Sequence, residues 1–211
     1  MISVPYAAYL SEAIYDPVAP SVFAQIIQVS GVVCGYKQID ETNTFTFRGS
    51  TSVEDWLRDF DAIPYDEPVL GRIHAGFWRG MEKMFAQLRP LLTGPISIQG
   101  HSLGAAHAPL LAALCAEEKI PVEQLVLLAP PRPGYQQLRD LVQAHIGIKR
   151  AFVNGLDPVP AMPPATMAEP WRQTVDMILL HEDPEGIEAI LPVHYHAVGL
   201  YRRGIERMYP S

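Results

Sequence analysis

A serine between two glycines is the residue of this chain whose setting most directly indicates chemistry. Residues 100–104 read G-H-S-L-G and match the G-x-S-x-G pattern of a nucleophile elbow. In such an elbow the serine occupies a strained turn between a strand and a helix, and glycines are needed where side chains would collide with neighbouring backbone. Residues 96–99 have the character of a short strand, and residues 103–117, rich in alanine and leucine, predict a helix. This context favours Ser102 as a nucleophile over a plain structural turn.

A nucleophilic serine needs a general base and a carboxylate that orients the base, and after an elbow serine the chain order is acid, then histidine. Asp157 follows a predicted strand at residues 148–153, so it would lie at the carboxyl edge of a parallel sheet, where active sites gather. The alternative for Asp157 is an ordinary Asp-Pro turn. Asp176 falls inside a predicted strand, and Asp183 belongs to a polar run that predicts a solvated turn. Asp157 is therefore the favoured acid.

Chain order leaves four histidines as candidates for the base: His145, His181, His194 and His196. The last two begin the predicted closing helix, and their H-x-H spacing also raises the question of a metal site. No cluster of cysteines or carboxylates accompanies them, so no metal is predicted. His101, at the variable position of the elbow, and His107, on the helix after it, are interpreted as packing residues. From the residues alone, the choice of base stays open.

Composition places the chain among globular proteins. Of its 211 residues 48% are hydrophobic and 18% are charged, which argues against disorder and predicts one domain over residues 1–211. The formal net charge is −7 and no cluster of lysine and arginine offsets it, which disfavours nucleic acids and strongly anionic membranes as partners. Cys34 lies in an apolar strand-like run and Cys115 in the predicted elbow helix, so two buried thiols are favoured over a disulfide.

Two features of the sequence bear on location. No segment approaches the run of about 20 apolar residues that a membrane helix requires. The first residues lack the basic start and the continuous apolar stretch of a signal peptide. A cytoplasmic location is therefore expected by default, with release from the cell by another route left open.

The order of the predicted elements indicates an α/β fold. A helix over residues 6–15 is followed by three strands at 22–29, 32–39 and 43–48, which are expected to form an antiparallel meander. From Gly76 onwards strands and helices alternate, which is typical of a mainly parallel sheet with flanking helices. The later helices are predicted at 76–92, 103–117, 135–144 and 194–208, and the later strands at 96–99, 122–128, 148–153 and 171–180.

Several blocks of this sequence resemble those of the class 3 lipases, a family of α/β-hydrolases that includes fungal triacylglycerol lipases. The blocks follow the order of the family from about residue 45 to residue 201. They are F-R-G-S-T-S-V-E-D-W at 47–56, H-A-G-F at 74–77, G-H-S-L-G at 100–104, P-R-P-G at 131–134 and V-N-G-L-D-P-V-P at 153–160, with a histidine near the C-terminus. The resemblance implies an α/β-hydrolase fold, and its match at 153–160 carries the aspartate of the catalytic triad onto Asp157.

The resemblance also implies an oxyanion hole and a base. Its R-G-S block implies that Ser50 forms the hole together with the backbone N–H of Leu103. Bacterial relatives resemble the pattern H-[SA]-[IV]-x-x-Y at the catalytic histidine, which H-A-V-G-L-Y at 196–201 fits. His194 does not fit this register, so the implied base is His196.

The sequence departs from the family pattern at three places. Tyr195 stands where an aspartate often precedes the histidine, and His107 stands where a small residue is usual. The stretch between Asp157 and His196 is short, which leaves the shape of the alcohol-side pocket open.

An apolar stripe directly follows the R-G-S block. Val53, Trp56, Leu57 and Phe60 are spaced as i, i+3, i+4 and i+7, which predicts one face of a short helix. Two alternatives stay open: a lid that opens on lipid, or a helix fixed against the core. Together with Phe77 of the H-A-G-F block, these residues are the candidates for a lid or an acyl pocket.

These observations predict a serine carboxylic-ester hydrolase, a lipase or esterase that cleaves acyl esters, acylglycerols first among them, through an acyl-enzyme. The expected partner is an ester or lipid substrate, with transient contact to a lipid interface, and no metal or organic cofactor is required. Two alternatives on the same triad are a phospholipase A1 and an esterase for short-chain or aryl esters. A catalytically silent binding protein on the same scaffold is the alternative from another class.

Overall fold

A computed structural model describes residues 1–16, 21–52, 61–185 and 191–210. Its strands are β1 (Gln25–Val29), β2 (Val32–Ile39), β3 (Thr42–Phe47), β4 (Pro64–Glu67), β5 (Gly71–His74), β6 (Ile96–His101), β7 (Val122–Leu128), β8 (Ile146–Asn154) and β9 (Met177–Leu180). Its α-helices are α1 (Val4–Ala13), α2 (Ala75–Trp78), α3 (Met81–Leu88), α4 (Leu103–Glu117), α5 (Gln136–His145) and α6 (Val198–Met208). Short 3₁₀-helices span Arg89–Leu91, Val159–Ala161 and Pro192–His196.

The central sheet joins seven of the described strands in the order β1-β2-β3-β6-β7-β8-β9. The first three are antiparallel, and the pairs from β3–β6 to β8–β9 are parallel. Ser30 and Gly31 have φ of 50° and 87°, the paired positive values that make a tight hairpin turn, so β1 and β2 must run antiparallel. The predicted mainly parallel sheet with an N-terminal antiparallel meander is confirmed. That residues 1–211 form one domain stays a prediction.

Helices cover both faces of this sheet. Every residue of α4 from Gly104 to Cys115 is buried, and α4 contacts β6, β7 and α5. A helix enclosed on all sides must be apolar all round, which is why alanine and leucine fill it instead of an amphipathic stripe. On the opposite face α1 packs against α6 and against β6 and β7. The strand β6 therefore leads into a helix that is fixed from every direction.

The predicted helix over residues 76–92 is two helices, because the chain turns at Gly80. Gly80 has φ of 87°, and a Cβ there would lie 2.8 Å from the Cβ of Ser30. This left-handed turn separates α2 from α3 and lets the chain pass close to the β1–β2 turn. The prediction of one continuous helix is wrong here, since it followed the apolar spacing across a residue that cannot continue it.

Other boundaries differ from the sequence prediction. The hairpin of β4 and β5 was not predicted, and the strand predicted at 171–180 forms only at Met177–Leu180, after the buried Trp171. The closing helix begins at Val198, and Pro192–His196 form a 3₁₀-helix before it. Pro192 fits the first turn of a helix, where its missing N–H costs nothing, but the tighter 3₁₀ winding does not run on into α6.

Two further predictions concern the state of the cysteines and membrane-spanning helices. Cys34 and Cys115 are buried free thiols, as predicted. Burial raises the pKa of Cys115 to about 12, so the thiol is unreactive at neutral pH. No helix in the described ranges is both long enough and apolar enough to cross a bilayer.

Candidate active site

Ser102 stands in a strained turn between β6 and α4. Its φ and ψ are 59° and −128°, a conformation that residues with a side chain rarely adopt and that costs on the order of 1–3 kcal/mol. The turn is fixed because the Ser102 N–H donates to the carbonyl of Leu128 over 3.0 Å, and α4 begins at the next residue. The side chain therefore lies at the N-terminus of a 15-residue helix, where backbone N–H groups and the helix dipole favour negative charge.

The two elbow glycines are required by close contacts. A Cβ on Gly100 would lie 2.5 Å from the carbonyl carbon and oxygen of Gly104, and a Cβ on Gly104 would lie 2.2 Å from the carbonyl oxygen of Phe47. Backbone atoms cannot give way to such contacts as the end of a flexible side chain can. The elbow thus packs directly on the end of β3, and the loop that carries Ser50 lies beside Ser102.

Asp157 follows β8 at the carboxyl edge of the sheet, as predicted. Its buried carboxylate accepts three hydrogen bonds, from the Val159 N–H (2.9 Å), from His196 Nδ1 (2.7 Å) and from the Tyr201 hydroxyl (2.5 Å). The last two fall on the same oxygen, Oδ2. The other acids considered, Asp176 and Asp183, are bonded elsewhere, to Arg139 and Tyr195.

The loop that carries Asp157 is held by the P-R-P-G block. The Arg132 guanidinium donates to the carbonyls of Ala161 and Pro163, each over 2.8 Å, and Gln173 bridges the carbonyls of Pro130 and Pro160. Burial, and then the charge of Arg172, lower the pKa of Arg132. These bonds explain why a proline-rich loop presents its carboxylate in one position.

His196 is the histidine bonded to Asp157, and it ends the 3₁₀-helix Pro192–His196. Because Nδ1 donates to the carboxylate, Nε2 of the neutral ring is the acceptor that a general base requires. His196 Nε2 and Ser102 Oγ are both buried, and neither has a hydrogen-bond partner among the described residues. The two groups are therefore not bonded to each other in this state; such bonds are often long in free enzymes and tighten with substrate. His194 lies two residues earlier and lines the neighbouring cavity.

Ser50 lies in the loop after β3. Its hydroxyl donates to the Ser52 carbonyl over 3.0 Å and accepts the Ser52 N–H over 3.3 Å. The O–H must rotate away from Ser52 before it can donate to a substrate oxygen. Leu103, which would supply the second donor, is the first residue of α4.

A cavity of about 680 Å³ opens beside these groups. Ser50, Tyr15, His101 and His196 line it, together with the apolar side chains of Val193 and Val198. Ser102 is only 1% exposed and does not belong to its wall. An ester that enters the cavity therefore meets the loop of Ser50 and the His196 ring before Ser102.

Of the five candidates for a lid or acyl pocket, only Phe77 lies among the described residues. Val53, Trp56, Leu57 and Phe60 lie outside the described residues. Phe77 is 2% exposed and stacks on His74 with ring centroids 4.0 Å apart. It belongs to the main hydrophobic core, so the structure does not bring it to the cavity just described.

Three site residues escaped the sequence analysis. Tyr201 served only to set the register of His196, yet its hydroxyl contacts the proposed acid. His101 was interpreted as a packing residue, but both of its ring nitrogens are hydrogen-bonded, to Tyr15 and to the His196 carbonyl. The adjacency of His101 to Ser102 was the available signal for it. Nothing in the sequence around Tyr15 indicated that it would contact His101, which lies 86 residues further along the chain.

In the described part of the chain no three His, Cys, Asp or Glu side chains lie together as metal ligands. That the chain uses no metal or cofactor stays a prediction.

Comparison with known proteins gives a family and several relatives. The family described as "Lipase (class 3)" matches residues 44–167. A secreted mono- and diacylglycerol lipase A from Penicillium camembertii is 30% identical over 146 residues, which are 63% of this chain and 48% of that relative. A lipase from Rhizomucor miehei is 30% identical over 141 residues, 60% of this chain and 39% of that relative. The chain thus spans about half or less of the length of the curated relatives it matches.

Solved structures share the fold. The Rhizomucor miehei lipase in complex with its propeptide superposes with a TM-score of 0.68 at 23% identity, covering 83% of this chain and 66% of that one. A crystal structure of a mutant form of MDLA from Penicillium cyclopium gives 0.67 at 19% identity, over 87% and 80% of the two chains. A third structure, described as a triacylglycerol lipase whose catalytic centre is a serine protease triad, gives 0.64 at 23% identity, over 85% and 76%. These likenesses confirm the predicted α/β-hydrolase fold.

The predicted cytoplasmic location is contradicted. The relatives from Penicillium and from Fusarium solani are named as secreted lipases. The prediction is wrong because it depended only on the lack of a recognisable leader among the first residues. That lack does not fix where a protein acts.

Proposed function

Because the chain belongs to the class 3 lipase family, we propose that it is a serine hydrolase that cleaves acyl esters of glycerol. One observation carries the proposal. The buried Asp157 carboxylate is bonded to His196 Nδ1 over 2.7 Å, while His196 Nε2 and Ser102 Oγ, both buried, have no partner among the described residues. An acid, a base with a free lone pair and a strained serine at a helix N-terminus are the groups that acyl transfer requires.

In the proposed reaction Ser102 Oγ attacks the ester carbonyl carbon while its proton passes to His196 Nε2. Asp157 holds the ring in the tautomer that accepts this proton and stabilises the imidazolium that forms. His196 then gives the proton to the oxygen of the leaving alcohol as the C–O bond breaks, which leaves an acyl-serine. A water molecule, deprotonated by the same nitrogen, then attacks the acyl carbon. The bond between that carbon and Ser102 Oγ breaks as His196 returns the proton to Oγ, which releases the acid and restores Ser102.

The oxyanion of each tetrahedral intermediate would be bound by the Leu103 N–H and the Ser50 hydroxyl. Leu103 supports this role by its place at the start of α4, where the helix dipole favours negative charge. Ser50 supports it by lining the cavity next to His196, although its hydroxyl must first leave Ser52. A donor of this kind is worth about 3 kcal/mol of transition-state stabilisation.

The names of the relatives favour mono- and diacylglycerols as substrates, and they favour action outside the cell. The cavity supports an apolar substrate with a polar end, because Val193 and Val198 lie on its wall beside Ser50 and His196. The phospholipase A1 alternative gains no support from these relatives.

The test is ester hydrolysis together with covalent labelling. The protein is incubated with a fluorophosphonate probe, with p-nitrophenyl esters of increasing chain length, and with matched mono-, di- and triacylglycerols. We expect labelling of Ser102 and turnover of monoacyl- and diacylglycerols above triacylglycerols. Ser102→Ala must abolish both labelling and turnover.

The matched control is Ser11→Ala. It removes another buried serine hydroxyl, bonded within α1 to the Ala7 carbonyl over 2.9 Å, and should keep both labelling and turnover. No labelling of the folded wild-type protein, or full turnover by Ser102→Ala, would exclude the proposed function.

A further inference from the structure

His101 precedes the proposed nucleophile and is hydrogen-bonded on both sides of its ring. Nδ1 lies 2.9 Å from the hydroxyl oxygen of Tyr15, and Nε2 lies 2.9 Å from the backbone carbonyl oxygen of His196. The His101 ring also packs on the His196 ring, with centroids 4.6 Å apart. Both nitrogens of this buried ring are therefore satisfied, and the two bonds tie it to two different segments of the chain.

The directions of these bonds follow from the chemistry of the partners. The His196 carbonyl can only accept, so His101 Nε2 carries the proton. Burial, and then the neighbouring His196, hold the pKa of His101 well below its usual value, so the ring is neutral and Nδ1 is an acceptor. Tyr15 must therefore donate to Nδ1. Burial raises the pKa of Tyr15, and the tyrosine keeps the proton that it donates.

The Tyr15 oxygen also accepts the backbone N–H of Gly49 over 3.0 Å. Gly49 precedes Ser50, and its backbone is pressed into this corner. A Cβ on Gly49 would lie 2.2 Å from the Tyr15 oxygen and 2.6 Å from the His101 carbonyl oxygen. The bonds thus run without a gap from the loop of Ser50, through Tyr15 and His101, to the backbone of His196.

We propose that Tyr15 and His101 are positioning residues for ester hydrolysis, a relay that fixes the oxyanion loop and the general base in register on either side of Ser102. The inference rests on the proposed function. The relay joins four segments distant in the chain: the turn after α1, the loop after β3, the end of β6 and the 3₁₀-helix that carries His196. It does this with neutral groups, so it places no charge against the imidazolium that forms during turnover.

This role predicts a loss of turnover and not of substrate binding. A displacement of about 1 Å at a reacting group can lower a rate by about 100-fold, whereas contacts that bind the substrate equally in all states change KM. Tyr15 also lines the cavity, so the split between kcat and KM separates a positioning role from direct substrate contact.

The experiment compares Tyr15→Phe with Tyr9→Phe on a dissolved p-nitrophenyl ester. Tyr9 lies on α1, and its ring contacts Tyr6 and Arg202 instead of the elbow, so this variant removes a tyrosine hydroxyl outside the relay. We expect Tyr15→Phe to lower kcat about 10-fold with KM changed less than about 2-fold, and Tyr9→Phe to match the wild type. Fluorophosphonate labelling of Tyr15→Phe should slow to the same extent as kcat.

A second pair of variants tests the other half of the relay. His101→Gln offers an N–H that can reach the His196 carbonyl, whereas His101→Leu offers none, so the glutamine variant should retain more turnover at equal melting temperature. The effects of Tyr15→Phe and Ser50→Ala on kcat should combine to less than their product, because both act on one loop.

Several outcomes would overturn the relay while leaving the hydrolase intact. They are an unchanged kcat in Tyr15→Phe, an equal loss in Tyr9→Phe, a change confined to KM, or equal turnover of the two folded His101 variants. Failure of the proposed function looks different, since the wild-type protein would then neither hydrolyse esters nor be labelled at Ser102.

Discussion

The hydroxyl of Tyr201 donates to Oδ2 of Asp157 over 2.5 Å, onto the same oxygen that binds His196. This hydroxyl also accepts the backbone N–H of Asn154 over 3.0 Å, so it connects the end of β8 to the carboxylate. Burial, and then the charge of Asp157, raise the pKa of Tyr201 well above its usual value. Tyr201 therefore remains a donor across the working pH range and holds the carboxylate in the plane that His196 requires.

We expect Tyr201→Phe to lower both activity and stability. The change leaves the Asn154 N–H without its acceptor, which costs about 1–3 kcal/mol of unfolding free energy, and it loosens the carboxylate, which should lower kcat about 10-fold. Urea unfolding and steady-state kinetics measure the two effects. Tyr209→Phe, a half-buried tyrosine just after the same helix, is the control. Wild-type kcat in Tyr201→Phe would mean that Val159 and His196 suffice to hold Asp157.

Two substitutions at Ser102 should differ in stability although both abolish turnover. Ser102→Ala and Ser102→Gly both remove the nucleophile, so turnover should fall by about 10⁴- to 10⁶-fold in each. Only glycine relieves the strain of φ at 59°, and relief of about 1–3 kcal/mol exceeds the entropic cost of glycine, about 0.5–1 kcal/mol. Thermal melting should therefore place Ser102→Gly above Ser102→Ala. The reverse order of melting temperatures would show that the backbone of Ser102 is not strained.

Ser50→Ala should affect turnover alone. Removing one oxyanion donor lowers kcat by about 10²- to 10³-fold, with little change in KM, because the bond is made in the transition state. Thr51→Ala, at an exposed neighbour that also lines the cavity, should retain most of the activity. Equal kcat values for Ser50→Ala and the wild type would mean that another group completes the hole.

The two neighbouring histidines are expected to differ sharply. His196→Ala removes the group bonded to Asp157 and should be inactive. His194→Ala changes the wall of the cavity and should keep at least about a tenth of wild-type kcat, as expected for a residue outside the proton transfer. The comparison needs folded protein, so circular dichroism accompanies the assay. The opposite ranking would transfer the role of base to His194.

Buried histidines should make the fold sensitive to acid. Burial lowers the pKa of His107 from 6.5 to about 4, so the unfolded chain takes up a proton where the folded chain does not. The stability that neutral His107 contributes is complete above pH 6.5 and is lost as the pH falls towards 4. Between pH 7 and pH 5 this loss is about 2 kcal/mol.

Replacing His107 by leucine should remove this part of the acid sensitivity. Urea unfolding of His107→Leu and the wild type at the two pH values measures the difference. Leu111→Met, at a buried position one turn further along α4, alters packing without altering titration and serves as the control. An equal loss of stability in wild type and His107→Leu would show that His107 is protonated in the folded state.

The sequence predicted those parts of the fold that depend on local chemistry. The strand Val32–Ile39 was predicted with its observed bounds because the Ser30–Gly31 turn marks its start and strand-forming residues such as Val32, Val33 and Tyr36 follow. Ser102 and Asp157 could be proposed as site residues because glycine spacing and the end of a predicted strand are local signals. The hairpin at Pro64–Glu67 and Gly71–His74 has no such signal, since its strands lack clear alternation.

The rest of the site depends on contacts between distant segments. Residue patterns alone could not decide between His194 and His196 as the base. Only the match to the family pattern at residues 196–201 favoured His196, and the hydrogen bond between His196 and Asp157 supports that choice. The partners of Tyr15 and His101 lie in loops whose approach is set by the packing of α1 and α4 on the sheet. Spacing along the chain does not record that approach, because it arises from tertiary packing.

The strands of the central sheet lie side by side in the order in which the ribosome makes them. Each strand of the sheet pairs with the sheet strand made immediately before it, so pairing can advance with the growing chain and need not wait for a later segment. The proposed catalytic groups emerge in the same direction, the loop of Ser50 after β3, Ser102 after β6, Asp157 after β8 and His196 after β9. A ribosome-bound chain can therefore build most of the sheet before its proposed catalytic groups are complete. The proposed base, His196, is made only just before α6.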